Sequence, residues 1–181
     1  MSEEIKPWLL LSSKLVFERK FLNIIEDTVL LPSGNEANWL CFDHQADGAC
    51  TILINGDGKI LLAKQYCHPP RSVVYEFPGG GIGKNESPEE AAQRESLEEV
   101  GIWPHALKRI GSFLLNNRRS ASRLHVFVGT QLEVRGDSPE AQEFVTSAWF
   151  TTGEIEEMIE NGKIDNSTLL ATWAIYRSLK D

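Results

Sequence analysis

The stretch GGIGKNESPEEAAQRESLEEVGI, from Gly80 to Ile102, decides how this 181-residue chain is read. Ser87-Pro88-Glu89-Glu90 is a helix start: Ser87 caps, Pro88 suits the first helical position, and Glu90 completes a capping box. Gly101 stands where a helix ends in a left-handed cap, so the spacing predicts a helix over 88–100. On that helix Glu95, Glu98 and Glu99 share an arc of roughly 100°. Ala92, Ser96, Leu97 and Val100 fall opposite and form the expected packing side.

An isolated helix gains nothing from such an arc. Like-charge pairs three or four residues apart each cost about 0.3 kcal/mol. Glu98 and Glu99 also stand in the last turn, against the negative end of the helix dipole. Arg94 is expected to pair with Glu90 and Glu98, which leaves Glu95 and Glu99 with no evident helical partner. Clustered carboxylate oxygens of this kind suit Mg²⁺ or Mn²⁺, which keep waters and bridge to phosphates.

The same stretch organises the charge. Six of its side chains are glutamates against Lys84 and Arg94, so it holds half of the chain's formal charge of −8. That charge disfavours nucleic acid and anionic membranes as partners. Bound divalent ions would offset it locally and admit an anionic substrate. Hydrophobic residues at 41% and charged residues at 24% fit a globular domain rather than a disordered one. Apolar runs such as Trp8 to Leu11 are far too short to span a membrane. The start Met-Ser-Glu-Glu reads as neither basic nor hydrophobic, so secretion is not expected. Cys41, Cys50 and Cys67 lack metal-ligand spacing and read as reduced thiols, so a cytoplasmic location is expected.

Outward from the helix, short strands are expected on both sides. Lys14 to Glu18, Phe21 to Val29 and Asn38 to Phe42 read as a small sheet, with a turn at Leu31-Pro32-Ser33-Gly34-Asn35. Thr51 to Ile54 and Lys59 to Lys64 read as a hairpin closed by Asn55-Gly56-Asp57-Gly58. Val73 to Phe77, Arg109 to Leu115, Arg123 to Gly129 and Phe144 to Phe150 are further strands. Helices are expected over 154–160 and 167–179. The irregular interleaving predicts an α/β fold, a mixed sheet with helices on both faces.

Gly80, Glu86 and the run Arg94-Glu95-Ser96-Leu97-Glu98-Glu99-Val100-Gly101-Ile102 resemble the Nudix box and match it at every polar position. Ser96 departs from it, standing on the packing side where the family has a bulky aliphatic residue. The resemblance implies an α/β/α sandwich with a mixed central sheet that binds two or three Mg²⁺ or Mn²⁺ ions. It implies a substrate in which a nucleoside diphosphate is linked to another moiety, with water attacking a phosphorus. Glu95 and Glu99 would be metal ligands, Glu98 would bind metal directly or through water, and the Gly79 carbonyl would add a ligand. Arg94 would orient the carboxylates, and Glu86 would hold Arg94 or the loop.

The wider chain resembles the ADP-ribose pyrophosphatase and nucleoside-diphosphate-sugar hydrolase branch. The resemblance runs through Asp27-Thr28-Val29, Leu61-Leu62-Ala63-Lys64-Gln65-Tyr66, Tyr75-Glu76-Phe77-Pro78-Gly79-Gly80 and Trp149-Phe150. It implies an N-terminal β-segment, 1–44, exchanged across a homodimer, and a catalytic domain, 45–181. Trp39 and Phe21 are then candidates to hold the base, and Glu76 to contact ribose or metal-bound water. Glu143, in the loop from Asp137, is a candidate metal ligand or general base, with Glu140 as its neighbour in that role. Cys67 stands where the branch has an arginine, and Arg71 is a candidate substitute. Arg118 and Arg119 form a basic loop able to hold a diphosphate bidentately.

Hydrolysis of ADP-ribose, and of other nucleoside diphosphate sugars, into a nucleoside monophosphate and a sugar phosphate is the leading expectation. Dinucleoside polyphosphates or modified nucleoside triphosphates remain open as substrates. So does a non-catalytic ADP-ribose-binding sensor, although such proteins usually lose the box carboxylates that this chain keeps.

Overall fold

The computed structural model describes residues 5–20, 22–42, 46–136 and 145–179, which divide into two units. One unit is the described part of Met1–Gln45 together with Leu114–Ser122; the other takes Ala46–Phe113 and the described part of Arg123–Asp181. The segment 114–122, expected within the catalytic domain, thus groups with the N-terminal strands.

In the N-terminal unit, β1 (Leu9–Arg19), β2 (Leu22–Leu30) and β3 (Glu36–Phe42) form an antiparallel sheet in that order. The expected turn joins β2 to β3, with Gly34 at a φ of 86° that favours glycine. β1 is longer than its expected core at 14–18. Its extra residues are Leu9, Leu10 and Leu11 followed by two serines, and Arg19 at the far end, and every residue of the strand is exposed.

In the larger unit, β4 (Gly48–Leu53), β5 (Ile60–Cys67), β6 (Ser72–Glu76) and β7 (Gly79–Gly81) precede α1 (Pro88–Val100). β8 (Ile102–Leu114), β9 (Arg123–Val134), β10 (Thr146–Phe150), α2 (Thr152–Glu160) and α3 (Ser167–Ser178) follow. Two sheets result, β7-β4-β9-β8 and β10-β5-β6. The first is mixed, because β4 runs parallel to β9 and antiparallel to β7. Ala49 and Phe127 pack against Ala91 and Ala92 of α1. Alternate residues Cys50, Ile52, Leu124 and Val126 pack with Ile155, Met158, Leu169 and Trp173 of α2 and α3. Both faces are covered, which gives the expected α/β arrangement and explains why all six residues of β4 are buried.

The expected hairpin is corrected. Its turn closes, with the Asn55 N–H donating to Lys59 O at 3.0 Å and an isolated bridge between Ile54 and Ile60. The strands then separate into different sheets. β4 has both edges occupied, by β7 and β9, so β5 pairs with β6 and β10 instead.

α1 has the expected bounds, with the capping box at Ser87 and Glu90 and Gly101 at a φ of 68°. Its packing side is also corrected: Ala91, Ala92 and Ser96 are buried, while Leu97 and Val100 are partly exposed. The carboxylate side of the helix turns toward β7 rather than fully to water. Ser96 fits without a larger side chain because its hydroxyl donates to Ala92 O at 2.7 Å, which satisfies the buried polar group. Among the described residues no helix is long and apolar enough to cross a membrane.

Candidate active site

The glycine run exists to let two carboxylates approach the backbone. A Cβ on Gly79 would meet Ala49 O at 2.4 Å, so only glycine pairs this closely with β4. A Cβ on Gly80 would lie 2.5 Å from Glu95 Oε1, so the missing side chain makes room for Glu95. The Gly79 N–H donates to Glu99 Oε2 at 3.1 Å. Glu95 and Glu99 are therefore both set against β7.

Arg94 gathers the remaining carboxylates. Its Nε donates to Glu86 Oε1 at 2.7 Å and Nη2 to Glu86 Oε2 at 3.0 Å. Nη1 donates to Glu95 Oε1 at 2.7 Å and to Glu98 Oε2 at 2.8 Å, and Nη2 also donates to Gly81 O at 2.9 Å. These bonds use the full donor set of a guanidinium. Glu86 closes the turn by accepting the Gly83 N–H at 2.6 Å. The Arg94 bonds, then the Gly83 bond, hold the Glu86 carboxyl below the usual carboxylate range. Glu86, with Glu95 and Glu98, raises the guanidinium further above its already high value.

Two expected pairings change here. Glu90 does not bond Arg94; it accepts from Ser87 N and Oγ, both at 2.8 Å, because the cap competes for it. Glu95 and Glu99 do have partners, Arg94 and the Gly79 N–H.

The donor chemistry fits a hard divalent ion: carboxylate oxygens, with a backbone turn beside them. Glu95 and Glu98 share one Arg94 nitrogen, so their oxygens lie no further apart than two hydrogen bonds. In this arrangement Arg94 occupies the space between them. No three His, Cys, Asp or Glu side chains among the described residues converge as a ready ion cage. Arg94 engages one oxygen of each, Glu95 Oε1 and Glu98 Oε2.

The other candidates are placed as follows. Glu76, at the end of β6, accepts from Gln65 Nε2 at 2.7 Å, a partner the sequence reading missed. Arg71 is exposed in the β5–β6 turn at a φ of 53°, with its N–H on His68 O. In the N-terminal unit the basic loop is exposed but tied to β3. Trp39 Nε1 donates to Arg118 O at 3.1 Å, Arg119 Nη1 donates to Leu40 O at 3.0 Å, and the Arg119 guanidinium lies 5.3 Å from the Trp39 ring. Trp8 meets the same ring edge-on at 5.4 Å. Trp39, Arg118 and Arg119 line a cavity of about 500 Å³ with Ile25, Phe42 and Leu114. Phe21, Glu140 and Glu143 lie outside the described residues.

A second polar group was also missed. His125, buried in β9, meets Asp47 Oδ2 at 3.0 Å through Nε2 and Arg109 Nη2 at 2.6 Å through Nδ1. Asp47 is held below the usual carboxylate range by the Arg123 N–H and then by His125. No periodicity connects residues 78 positions apart, so only the parallel β4–β9 pairing brings them together.

The chain matches the family model described as NUDIX domain over residues 44–172. It is 27% identical over 157 residues to an ADP-ribose pyrophosphatase of Bacillus subtilis (strain 168), covering 85% of this chain and 84% of that one. It is 25% identical over 164 residues to a methanol dehydrogenase activator of Bacillus methanolicus, covering 89% and 88%. An RNA pyrophosphohydrolase of Pasteurella multocida (strain Pm70) is 39% identical over 67 residues, only 37% of this chain and 32% of the relative. The crystal structure of an ADP compounds hydrolase superposes with a TM-score of 0.86 at 16% identity, covering 98% of this chain and 96% of that chain.

Proposed function

The chain belongs to the Nudix family of pyrophosphatases, and from that premise we propose that it hydrolyses ADP-ribose and related nucleoside diphosphate sugars. The products are a nucleoside monophosphate and a sugar phosphate. The observation that carries this reading is the Arg94 fork, which holds Glu86, Glu95 and Glu98 together beside the Glu99–Gly79 contact. The substrate class is supported by the Bacillus subtilis relative, which aligns along most of both chains. The match to the RNA pyrophosphohydrolase, by contrast, covers only about a third of this chain.

Glu95, Glu98 and Glu99, with the Gly79 carbonyl and Glu143, would hold Mg²⁺ or Mn²⁺. Bound divalent ions neutralise the pyrophosphate and lower the pKa of the attacking water. Arg94 sets the side-chain angles of Glu95 and Glu98, and Glu86 keeps Arg94 aimed. Gln65 fixes the Glu76 carboxylate, which accepts a hydrogen bond from a ribose hydroxyl. Glu143, or its neighbour Glu140, takes the proton from water. Arg71, Arg118 or Arg119 pairs with phosphate oxygens, and Trp39 or Phe21 holds the base. The N-terminal unit forms a homodimer, and the protein works in the cytoplasm without nucleic acid or membrane.

A phosphatase-coupled phosphate-release screen with Mg²⁺ tests this. Its substrates are ADP-ribose, GDP-mannose, UDP-glucose, a diadenosine polyphosphate and 8-oxo-dGTP. Preferential release from ADP-ribose supports the proposal; release only from the last two replaces it. No release from any substrate favours a sensor.

A further inference from the structure

Asp47 lies outside the box, yet it ties the box turn to the sheet. Its backbone carbonyl accepts the Ile82 N–H at 2.9 Å. Its Oδ1 accepts the Arg123 N–H at 2.8 Å, and its Oδ2 faces His125 Nε2 at 3.0 Å. On the other side of the ring, Arg109 Nη2 stands 2.6 Å from Nδ1. A guanidinium only donates, so Nδ1 must accept. Nε2 therefore carries the proton and donates to Asp47. His125 is 8% exposed, which keeps this tautomer away from competing water.

Ile82 sits between the two residues on which the carboxylate cluster hangs. The Gly81 carbonyl accepts Arg94 Nη2 at 2.9 Å, and the Gly83 N–H donates to Glu86 at 2.6 Å. A shift of Ile82 therefore moves both ends of the Glu86–Arg94 pair. We infer that Asp47 and His125 are positioning residues: together they fix the Gly81–Gly83 turn, so that Arg94 presents Glu95 and Glu98 to a divalent ion. The inference deepens the proposed metal-dependent reading and rests on it. Partners that orient metal ligands are worth about 10–100-fold in metal affinity. Asp47 acts through the turn rather than on a ligand, so about tenfold is expected.

The tautomer supplies the test. Asp47 uses both oxygens to accept, whereas asparagine offers one oxygen and one NH₂. In Asp47→Asn, the NH₂ either opposes the Arg123 N–H or faces His125 Nε2. The second orientation needs the proton on Nδ1, where it collides with the Arg109 donors. Removing Arg109 frees that tautomer, so the double variant D47N/R109A should regain what D47N loses.

Two readouts are taken: amide exchange of Ile82 and Gly83 in metal-free protein, and Mn²⁺ affinity by calorimetry. D47N should exchange those amides about tenfold faster and bind Mn²⁺ about tenfold more weakly, with recovery of both in D47N/R109A. Should D47N fail to fold, His125→Leu removes both ring bonds and should lose the same two readouts. Unchanged exchange and affinity, or losses in D47N that R109A does not recover, overturn the inference. A wild-type protein that takes up no Mn²⁺ removes the metal reading itself, and the positioning role with it.

Discussion

Gly80 and Glu95 compete for one volume: a Cβ on Gly80 would lie 2.5 Å from Glu95 Oε1. Gly80→Ala should therefore push the carboxylate off its position while leaving the helix caps intact. A displacement of about 1 Å at a reacting centre costs roughly 100-fold in rate. Turnover should fall by about that factor, with the far-UV circular dichroism spectrum unchanged. Full activity in this variant would show that Glu95 needs no such room.

Glu99 contributes a charge as well as an anchor. Its Oε2 accepts the Gly79 N–H at 3.1 Å, and the oxygen of a glutamine can accept the same bond. Glu99→Gln should thus keep the fold and thermal midpoint while removing a negative oxygen from the metal site. A fall in turnover of orders of magnitude is expected, measured with Mg²⁺ and the best substrate of the screen. Near-normal turnover would remove Glu99 from the ligand set.

How much of this site the sequence makes legible depends on range. The bounds of α1 are local, set by Ser87, Pro88, Glu90 and Gly101, and they are readable from adjacent residues. The Arg94–Glu98 pair is local too. The Gly80–Glu95 fit and the Glu99–Gly79 bond need the β4–β7 pairing, which no helical wheel contains. Glu90 shows two local rules in competition, since a carboxylate in a capping box cannot also serve Arg94. The turn at 55–58 is equally plain in the sequence, but its strands separate because their edges are claimed by strands distant along the chain.

Asp47 should make stability depend on pH. The Arg123 N–H, and then His125, lower its carboxyl from the ordinary 3.8. A carboxyl depressed on folding contributes stability that is fully present above its unfolded value and lost as pH falls through the folded one. Wild type should therefore exceed Asp47→Asn in urea midpoint at pH 7. The gap should narrow as pH drops below about 4, because protonated Asp47 resembles the variant. A gap that stays constant from pH 7 to pH 3 would show that its ionisation contributes nothing to folding.

Cys50 should resist modification while the fold holds. Burial pushes its thiol up to about 12, against a weaker opposing hydrogen bond with Thr172. At pH 8 only about one molecule in ten thousand then carries the reactive thiolate. Ellman's reagent at pH 8 should leave Cys50 unlabelled in native protein and label it in urea, with peptide mapping to separate it from Cys41 and Cys67. Rapid native labelling at Cys50 would contradict its burial.

β1 gives the clearest handle on assembly. All eleven of its residues are exposed, among them Leu9, Leu10, Leu15, Val16 and Phe17, and β2 pairs with only one of its edges. A long, apolar, open strand is an aggregation hazard unless something covers it. A second copy of the chain brings the same apolar strand in a self-complementary arrangement. Sedimentation equilibrium of the wild-type protein should therefore report a dimer near twice 20.3 kDa. Replacing both Leu15 and Phe17 by Asp puts charge on that strand, and should shift the mass to that of a monomer. A wild-type monomer, or a doubly substituted protein that remains dimeric, would place the association elsewhere.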